Sequence, residues 1–217
     1  MKSLFSHRII AGTICTGIVL IVGVLLYVFR HLDTWLEVSD PLPESLDVIF
    51  TLAGEGSRIR YSKELFSQRG NLFWLISYTN KKIITIFQKD GLDTSRIYII
   101  DTCANTLSEI DFLAHWLRRA SQSAESSEIT GKQNGRGEPK IGIISNWYHM
   151  RRIKWMIATQ MPRKHFHFYY LPVPPIYDIY RDNSKAWWRQ QIVREMVLLE
   201  WQKIIYYWIR RPFMIFS

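Results

Sequence analysis

The clearest candidates for chemistry are a histidine and an arginine that directly follow an apolar run. In the stretch ISNWYHMRR, residues 144–152, His149 and Arg152 are three residues apart and share one side of a helix, whereas Arg151 points away from them. Imidazole transfers protons near neutral pH, and guanidinium binds phosphate or carboxylate. We predict that His149 is catalytic, that Arg152 binds an anion and that Arg151 is a surface residue. A packed or capping histidine beside a solvated arginine is the structural alternative.

A second polar stretch, residues 101–109, follows another apolar run. Thr106 and Glu109 have the spacing of a capping box, in which the two side chains bind the first free amides of a helix. In the functional interpretation, Asn105 and Glu109 face a pocket instead, Asn105 as a ligand-binding residue and Glu109 as a general base. The sequence leaves both interpretations open.

The third candidate is the glycine turn Gly54-Glu55-Gly56-Ser57-Arg58, which lies between a predicted strand and a predicted helix. Glycines let a backbone approach a ligand closely, and the amides at a helix N-terminus favour anions. We predict that Gly54, Gly56 and Arg58 bind ligand. The turn lacks the third glycine of a dinucleotide fingerprint and the lysine of a P-loop, so an ordinary strand-to-helix turn is the alternative.

The elements that must position these residues alternate between apolar runs and helical patterns. Strands are predicted over 47–53, 72–77, 96–100, 140–145 and 165–171, and helices over 58–68, 81–89, 106–120, 147–159 and 184–210. The polar, Ser- and Gly-rich segment 121–139 is predicted to be an exposed insertion. The pattern predicts an α/β fold, a Rossmann-like parallel sheet sandwiched by helices, whose ligands bind at the carboxyl ends of the strands.

One N-terminal transmembrane helix is predicted to precede this sheet. Ile9 to Phe29 contains no charged residue, and a helix of that length spans about 31 Å, enough to cross a bilayer. Basic residues precede the segment and acidic residues follow it, which predicts a cytoplasmic N-terminus and an extracytoplasmic domain on the inner or cytoplasmic membrane. We predict a signal anchor over 1–30, a linker over 31–45 and one domain over 46–217.

Charge and composition narrow the partners. The net charge is +9 for the chain and +6 without residues 1–30, which suits anionic lipid headgroups or phosphorylated ligands more than nucleic acid, and no nucleic acid is expected. Cys15 and Cys103 fall in different predicted segments, so no disulfide is expected.

His165 and His167 lie on one face of a predicted strand and with His149 suggest a metal site, but strand alternation explains them, and no metal site is predicted. The cofactor is left unknown.

These pieces, in this order, resemble the bacterial cell-envelope family that includes YdcF, SanA and ElyC. The matching elements are DVIFTLAG with Arg58, then Asn105-Thr106 with Glu109, then IISNWYHMRR, which is similar to the family's Thr-Ser-x-x-His-Met-x-Arg signature. The resemblance covers about residues 46–172 and implies a Rossmann-like fold, often on a membrane anchor, with a role in envelope integrity. It carries over Gly54, Arg58, Asn105, Glu109, Ser145, His149 and Arg152 as site residues. This chain departs from the family at Glu55, in the middle of the glycine turn, and at Asn146.

The function expected from the sequence is to bind a phosphorylated or otherwise anionic envelope precursor, either a small molecule or a lipid-linked ligand, and to hydrolyse or transfer it. One alternative is a non-catalytic envelope module with a degenerate pocket, whose aromatic C-terminal helix contacts the membrane or a partner protein. Another is a nucleotide- or cofactor-binding domain, which rests on the fold alone.

Overall fold

A computed structural model describes residues 2–80, 82–122, 138–161, 166–182 and 184–214, and the side chains of residues 15–80, 82–120, 138–161, 166–182 and 184–210. Most of the predicted insertion over 121–139, and also His165, lie outside the described residues. The chain forms two compact units, residues 1–35 and residues 36–217.

The N-terminal unit is helical. Helix α1 spans Lys2–Arg30, and a short helix α2 spans Leu32–Leu36. No helix in the described part of the chain is both long enough and apolar enough to cross a membrane. The anchor predicted over Ile9 to Phe29 therefore stays a prediction.

The second unit is built on a parallel sheet of five strands. In chain order the strands are β1 (Val48–Thr51), β2 (Phe73–Ser77), β3 (Ile97–Ile100), β4 (Lys140–Ser145) and β5 (His167–Pro172). Their order across the sheet is β3-β2-β1-β4-β5, and every neighbouring pair is parallel. The order reverses between β1 and β4, which makes the carboxyl ends of these two strands the topological switch point. The predicted α/β, Rossmann-like class is confirmed.

Helices connect the strands. They are α3 (Gly56–Ser67), α4 (Ile83–Lys89), α5 (Thr106–Gln122), α6 (Met150–Gln160) and α7 (Gln191–Met214). One core packs Val48 and Phe50 of β1 against apolar residues of α5 and α6, and the other packs Ile49 against residues of α3 and α4. Side chains alternate between the two faces of a strand, so β1 supplies both cores and its apolar residues run without interruption.

Two helix starts and the predicted linker differ most from the prediction. The helix predicted over 147–159 begins as a 3₁₀ turn, Trp147–His149, before α6 starts at Met150. The helix predicted to begin at 184 starts at Gln191, after a separate 3₁₀ turn. In the predicted linker, the amide of Asp40 donates to the carbonyl of Tyr170, and the amide of Tyr170 donates to the carboxylate of Asp40, so this segment is fastened along β5.

Candidate active site

The candidate site lies where β1 and β4 end. The segment after β1 carries the glycine turn and leads into α3, and the segment after β4 carries the His149 region and leads into α6. These strands pair in register from Val48 with Ile141 to Thr51 with Ile144, so the residues that follow them emerge side by side. The parallel register, which depends on the buried apolar residues of both strands, therefore brings two distant polar stretches to one edge.

Gly54 and Arg58 are brought together, but for a structural reason. The guanidinium of Arg58 lies directly against the backbone of Gly54, where an added Cβ would stand 2.6 Å from Cζ. Gly54 has a φ of +143°, a conformation that other residues rarely adopt. Arg58 donates to the carbonyl of Ala53 and to Oδ1 of Asn146. Gly54 thus makes room for an arginine of the same turn.

Arg58 is 4% exposed, and its donors face protein acceptors. Burial lowers the pKa of Arg58 from its ordinary value, while Tyr148, Glu55 and Glu109 oppose that shift. The arginine therefore holds the turn to the segment after β4, rather than presenting its charge to solvent.

Glu109 contacts the same turn, and of the two interpretations that the sequence left open, the capping box is wrong. Its carboxylate accepts a hydrogen bond from the amide of Ala53 at 2.7 Å. The N-terminus of α5 is instead capped one residue earlier, because Asn105 Oδ1 accepts from the amide of Ser108 at 3.0 Å and Ser108 Oγ accepts from the amide of Asn105 at 3.1 Å. Glu109 is thereby released to face the end of β1.

The electrostatic state of Glu109 reflects its burial, with 4% exposure. Burial raises the pKa of this carboxyl, and the Ser77 hydroxyl, the Ala53 amide and the charges of Arg58 and Arg152 act against the increase. Glu109 therefore lies within electrostatic range of both predicted arginines.

Glu55 takes part in the site although no role was predicted for it. Its carboxylate accepts from Nδ2 of Asn146 at 2.9 Å and from the hydroxyl of Tyr148 at 2.8 Å. Burial and the bond to Glu55 raise the pKa of the Tyr148 hydroxyl, so this group is a donor at neutral pH. The signal in the sequence was that this chain differs here from the family it resembles, with an acidic residue between two glycines at a strand end.

His149 and Arg152 meet, as their spacing predicts, and both contact Glu200 of α7. Arg152 donates through Nε at 2.8 Å and through Nη2 at 3.0 Å to the two carboxylate oxygens of Glu200, a bidentate ion pair. Nδ1 of His149 lies 2.9 Å from Oε1 of Glu200. Glu200 was missed in the sequence, where its signal is a single acidic residue inside the apolar stretch VLLEW, residues 197–201.

The tautomer of His149 follows from these contacts. Nδ1 also lies 3.2 Å from Nη2 of Arg152, but a guanidinium only donates, and one ring nitrogen cannot donate to Glu200 while accepting from Arg152. The shorter contact is to a carboxylate that only accepts, so the proton belongs on Nδ1. Nε2 then carries a lone pair and can accept a proton.

The charges at this contact reinforce that assignment. Burial, together with Arg58 and Arg152, lowers the pKa of His149 to about 4 even though Glu200 acts in the opposite direction. The ring is therefore neutral at pH 7. Glu200 is 1% exposed, and although burial opposes its ionisation, the bonds and charges of His149 and Arg152 lower its pKa. At neutral pH, when the ring is uncharged, Arg152 is the partner that keeps Glu200 ionised.

A cavity of about 510 Å³ opens beside this ion pair. Asn105 and Thr106 line one side from the start of α5, Arg152 lies in its wall, and α7 contributes Leu199, Gln202, Lys203, Tyr206 and Tyr207. The lining therefore includes two cations and no carboxylate, while Glu200 bonds to both cations. The cavity unites two residues from separate predicted stretches, Asn105 and Arg152.

The remaining predicted residues are placed as follows. Gly56 faces open space, with no atom within 4 Å of an added Cβ. Ser145 is fully buried at the end of β4, and its Oγ has no hydrogen-bond partner among the described residues. His167 is exposed, and its ring lies 4.6 Å from the Tyr169 ring at a tilt of 38°. Within the described ranges, no group of three or more His, Cys, Asp or Glu side chains is arranged to hold a metal ion.

Comparison with known proteins gives no relative. No family model, no curated protein and no solved structure matches the chain.

Proposed function

We propose that this protein binds an anionic group, a phosphate or a carboxylate, in the cavity beside Arg152 and that His149 transfers a proton in the reaction of that ligand. The observation that carries the proposal is the contact of a buried carboxylate, Glu200, with both residues. Glu200 fixes the proton on Nδ1 of His149 and aligns the guanidinium that borders the cavity. A histidine held this way by a carboxylate is the arrangement that general-base catalysis uses.

Charge favours an anion in the cavity. Two cations, Arg152 and Lys203, share one carboxylate, so the wall keeps a surplus of positive charge. Asn105, Thr106 and Gln202 add neutral polar groups, and Leu199 with two tyrosines adds apolar surface. Such a lining suits an anionic group attached to a larger organic part.

The reaction is a hydrolysis or a transfer. In hydrolysis of a phosphate ester, a water oxygen forms a bond to phosphorus, and the bond from phosphorus to the leaving oxygen breaks with its electron pair on that oxygen. Nε2 of His149 takes the proton from the water and returns it to the leaving oxygen. In a transfer, the hydroxyl of an acceptor replaces the water.

The biological setting of the proposal comes from the sequence. The resemblance to the YdcF, SanA and ElyC family favours an envelope precursor as ligand and a role in envelope biogenesis or integrity. The uncharged composition of Ile9 to Phe29 and the charges that flank it favour a single-pass anchor with the domain outside the cytoplasm. Carbonate extraction of membranes tests this part: release of the full-length chain into the soluble fraction would contradict it.

The experiment on the site uses His149→Asn. The asparagine amide nitrogen can replace Nδ1 at Glu200, but nothing replaces Nε2. We expect binding of inorganic phosphate to the full-length chain, measured calorimetrically, to stay within about threefold of wild type, and hydrolysis of p-nitrophenyl phosphate to fall by about 100-fold or more.

Arg151→Gln is the matched control, since it removes a cation from the same turn of α6 and should change neither quantity. Wild-type protein that binds no phosphate at 10 mM, on the order of the weakest useful affinity, contradicts the anion site. Equal hydrolysis by wild type and His149→Asn contradicts the role of His149.

A second candidate function, a non-catalytic module, is favoured by the surface of α7. Large apolar side chains on this helix are exposed, among them Ile205 at 50%, Trp208 at 68% and Ile209 at 58%. Trp and aliphatic residues exposed along a helix suit the interface of a membrane. Replacing these three residues by serine should abolish co-sedimentation with vesicles containing anionic phospholipid. If it leaves both co-sedimentation and cellular function intact while His149→Asn abolishes function, this alternative is wrong.

A further inference from the structure

Glu55 holds an unusual position for a residue at a helix N-terminus. It is the residue before α3, with an extended backbone, φ −68° and ψ 146°, and its side chain makes no capping hydrogen bond to that helix. The carboxylate turns instead toward the segment after β4, where it accepts from Asn146 and Tyr148. It therefore lies at the switch point between β1 and β4, where α/β sheets bind their ligands.

Besides the Ser57 hydroxyl at 3.5 Å, two donors at 2.8–2.9 Å hold Glu55, and both belong to buried residues of the segment after β4. Oδ1 of Asn146 accepts from Nε of Arg58, so the amide orientation is fixed and Nδ2 must face the opposite way, toward Glu55. Asn146 is 1% exposed, and the Tyr148 side chain is buried as well. Arg58 adds positive charge, since Glu55 and Arg58 interact electrostatically. Buried donors beside a buried cation are an anion-binding arrangement.

We propose that Nδ2 of Asn146 and the hydroxyl of Tyr148 form a second anion-binding site at the switch point, and that the carboxylate of Glu55 occupies it until a carboxylate or phosphate group of a ligand displaces it. This goes beyond the proposed function, which places an anion at Arg152. Glu55 is itself partly exposed to solvent, so the displaced side chain has room to leave.

The internal carboxylate sets the affinity for an external anion. A group tethered next to its own site competes at an effective concentration of about a millimolar or more. A free anion must exceed that competition in the wild-type protein. We expect Glu55→Ala to bind formate, acetate or inorganic phosphate at least about tenfold more tightly than wild type.

The experiment measures thermal stability and calorimetric binding of the full-length chain with each of these three anions, against chloride at equal ionic strength. Glu55→Ala should lose stability and regain it in a saturable way with one of the anions. Glu44→Ala, which removes an exposed carboxylate of the same unit, is the control and should behave as wild type. Preference for formate or acetate assigns a carboxylate ligand, and preference for phosphate assigns a phosphorylated one.

A further variant separates the two anion sites. The gain of Glu55→Ala should disappear in Glu55→Ala/Tyr148→Phe, which lacks one donor, whereas binding that depends on Arg152 should be equal in both. If Glu55→Ala does not fold, Glu55→Gln replaces it, because its amide nitrogen cannot accept from one of the two donors. No gain in either variant, or a gain that survives Tyr148→Phe, overturns the proposal without affecting the site at Arg152.

Discussion

Removing the carboxylate of Glu200 should lower the free energy of unfolding more than almost any other single substitution of a polar residue. Arg152 is 4% exposed and Glu200 1%, so neither charge can turn to water when its partner is lost. Breaking a buried ion pair from one side costs about 3–5 kcal/mol, because an uncompensated charge remains inside. Glu200→Gln keeps the shape and one acceptor oxygen, and we expect a loss near the lower end, about 3 kcal/mol. Arg152→Met should cost a similar amount.

The assay is a double-mutant cycle, with free energies of unfolding measured by urea denaturation of the full-length chain. Arg152→Met/Glu200→Gln removes both charges and should cost about 2 kcal/mol less than the sum of the Arg152→Met and Glu200→Gln single substitutions. Lys203→Met is the control: the lysine side chain is 48% exposed and bonds to the same carboxylate, so its loss should cost less than about 1 kcal/mol. Additivity within about 0.5 kcal/mol would refute the conclusion that the pair is a buried unit.

Three further predictions concern the same edge of the sheet. Gly54→Ala should destabilise by about 1–3 kcal/mol, since its Cβ meets Arg58 at a positive φ, whereas Gly56→Ala should be neutral or stabilising in urea denaturation. Asn105→Ala should lower the free energy of unfolding by about 1 kcal/mol because the N-cap is lost, and Thr106→Ala should lower it much less. A larger loss for Thr106→Ala would support the capping box at Thr106 instead. Because burial lowers the pKa of His149 from 6.5 to about 4, the unfolded chain binds that proton first as pH falls. The stability from the neutral ring is complete above pH 6.5 and is lost toward pH 4, and His149→Asn should flatten this slope.

The fold was predictable because its three central strands, β1, β2 and β4, are short apolar runs that are buried on both faces. Lys140–Ser145 has the predicted bounds, and Val48–Thr51 lies inside the predicted 47–53. The turns between elements were less predictable. Residues 147–149 continue the helical periodicity of α6 but form a 3₁₀ turn, a difference of hydrogen-bond pattern that hydrophobic spacing does not encode.

The candidate site was only half visible in the sequence. The spacing of His149 and Arg152 predicts that they share a helix side, which depends on local geometry alone. Glu200 lies 48 residues beyond Arg152 on another helix, so its partner is set by the packing of α7. The role of Glu109 also depends on tertiary packing. Asn105 and Thr106 are adjacent and both suit an N-cap, and the structure uses Asn105. The Glu109 carboxylate, which a capping box at Thr106 would need, accepts from the amide of Ala53 instead.

The carboxylates, more than the arginines, decide how a ligand can enter. Arg58 is paired with the Asn146 amide beside Glu55, so an incoming anion approaches its charge only where the Glu55 carboxylate gives way. Arg152 shares Glu200 with Lys203, so the cavity offers surplus positive charge while that ion pair stays intact. Glu200 is 1% exposed, bonds to two cations and to His149, and would leave at a cost of several kcal/mol. Glu55 is half-buried and is held by two neutral donors at 2.8–2.9 Å and more loosely by the Ser57 hydroxyl at 3.5 Å. Such bonds have a net strength of about 0.5–1.5 kcal/mol each, somewhat more to a charged acceptor. The Glu55 carboxylate is therefore the one that a ligand anion displaces, while Glu200 keeps His149 and Arg152 in place.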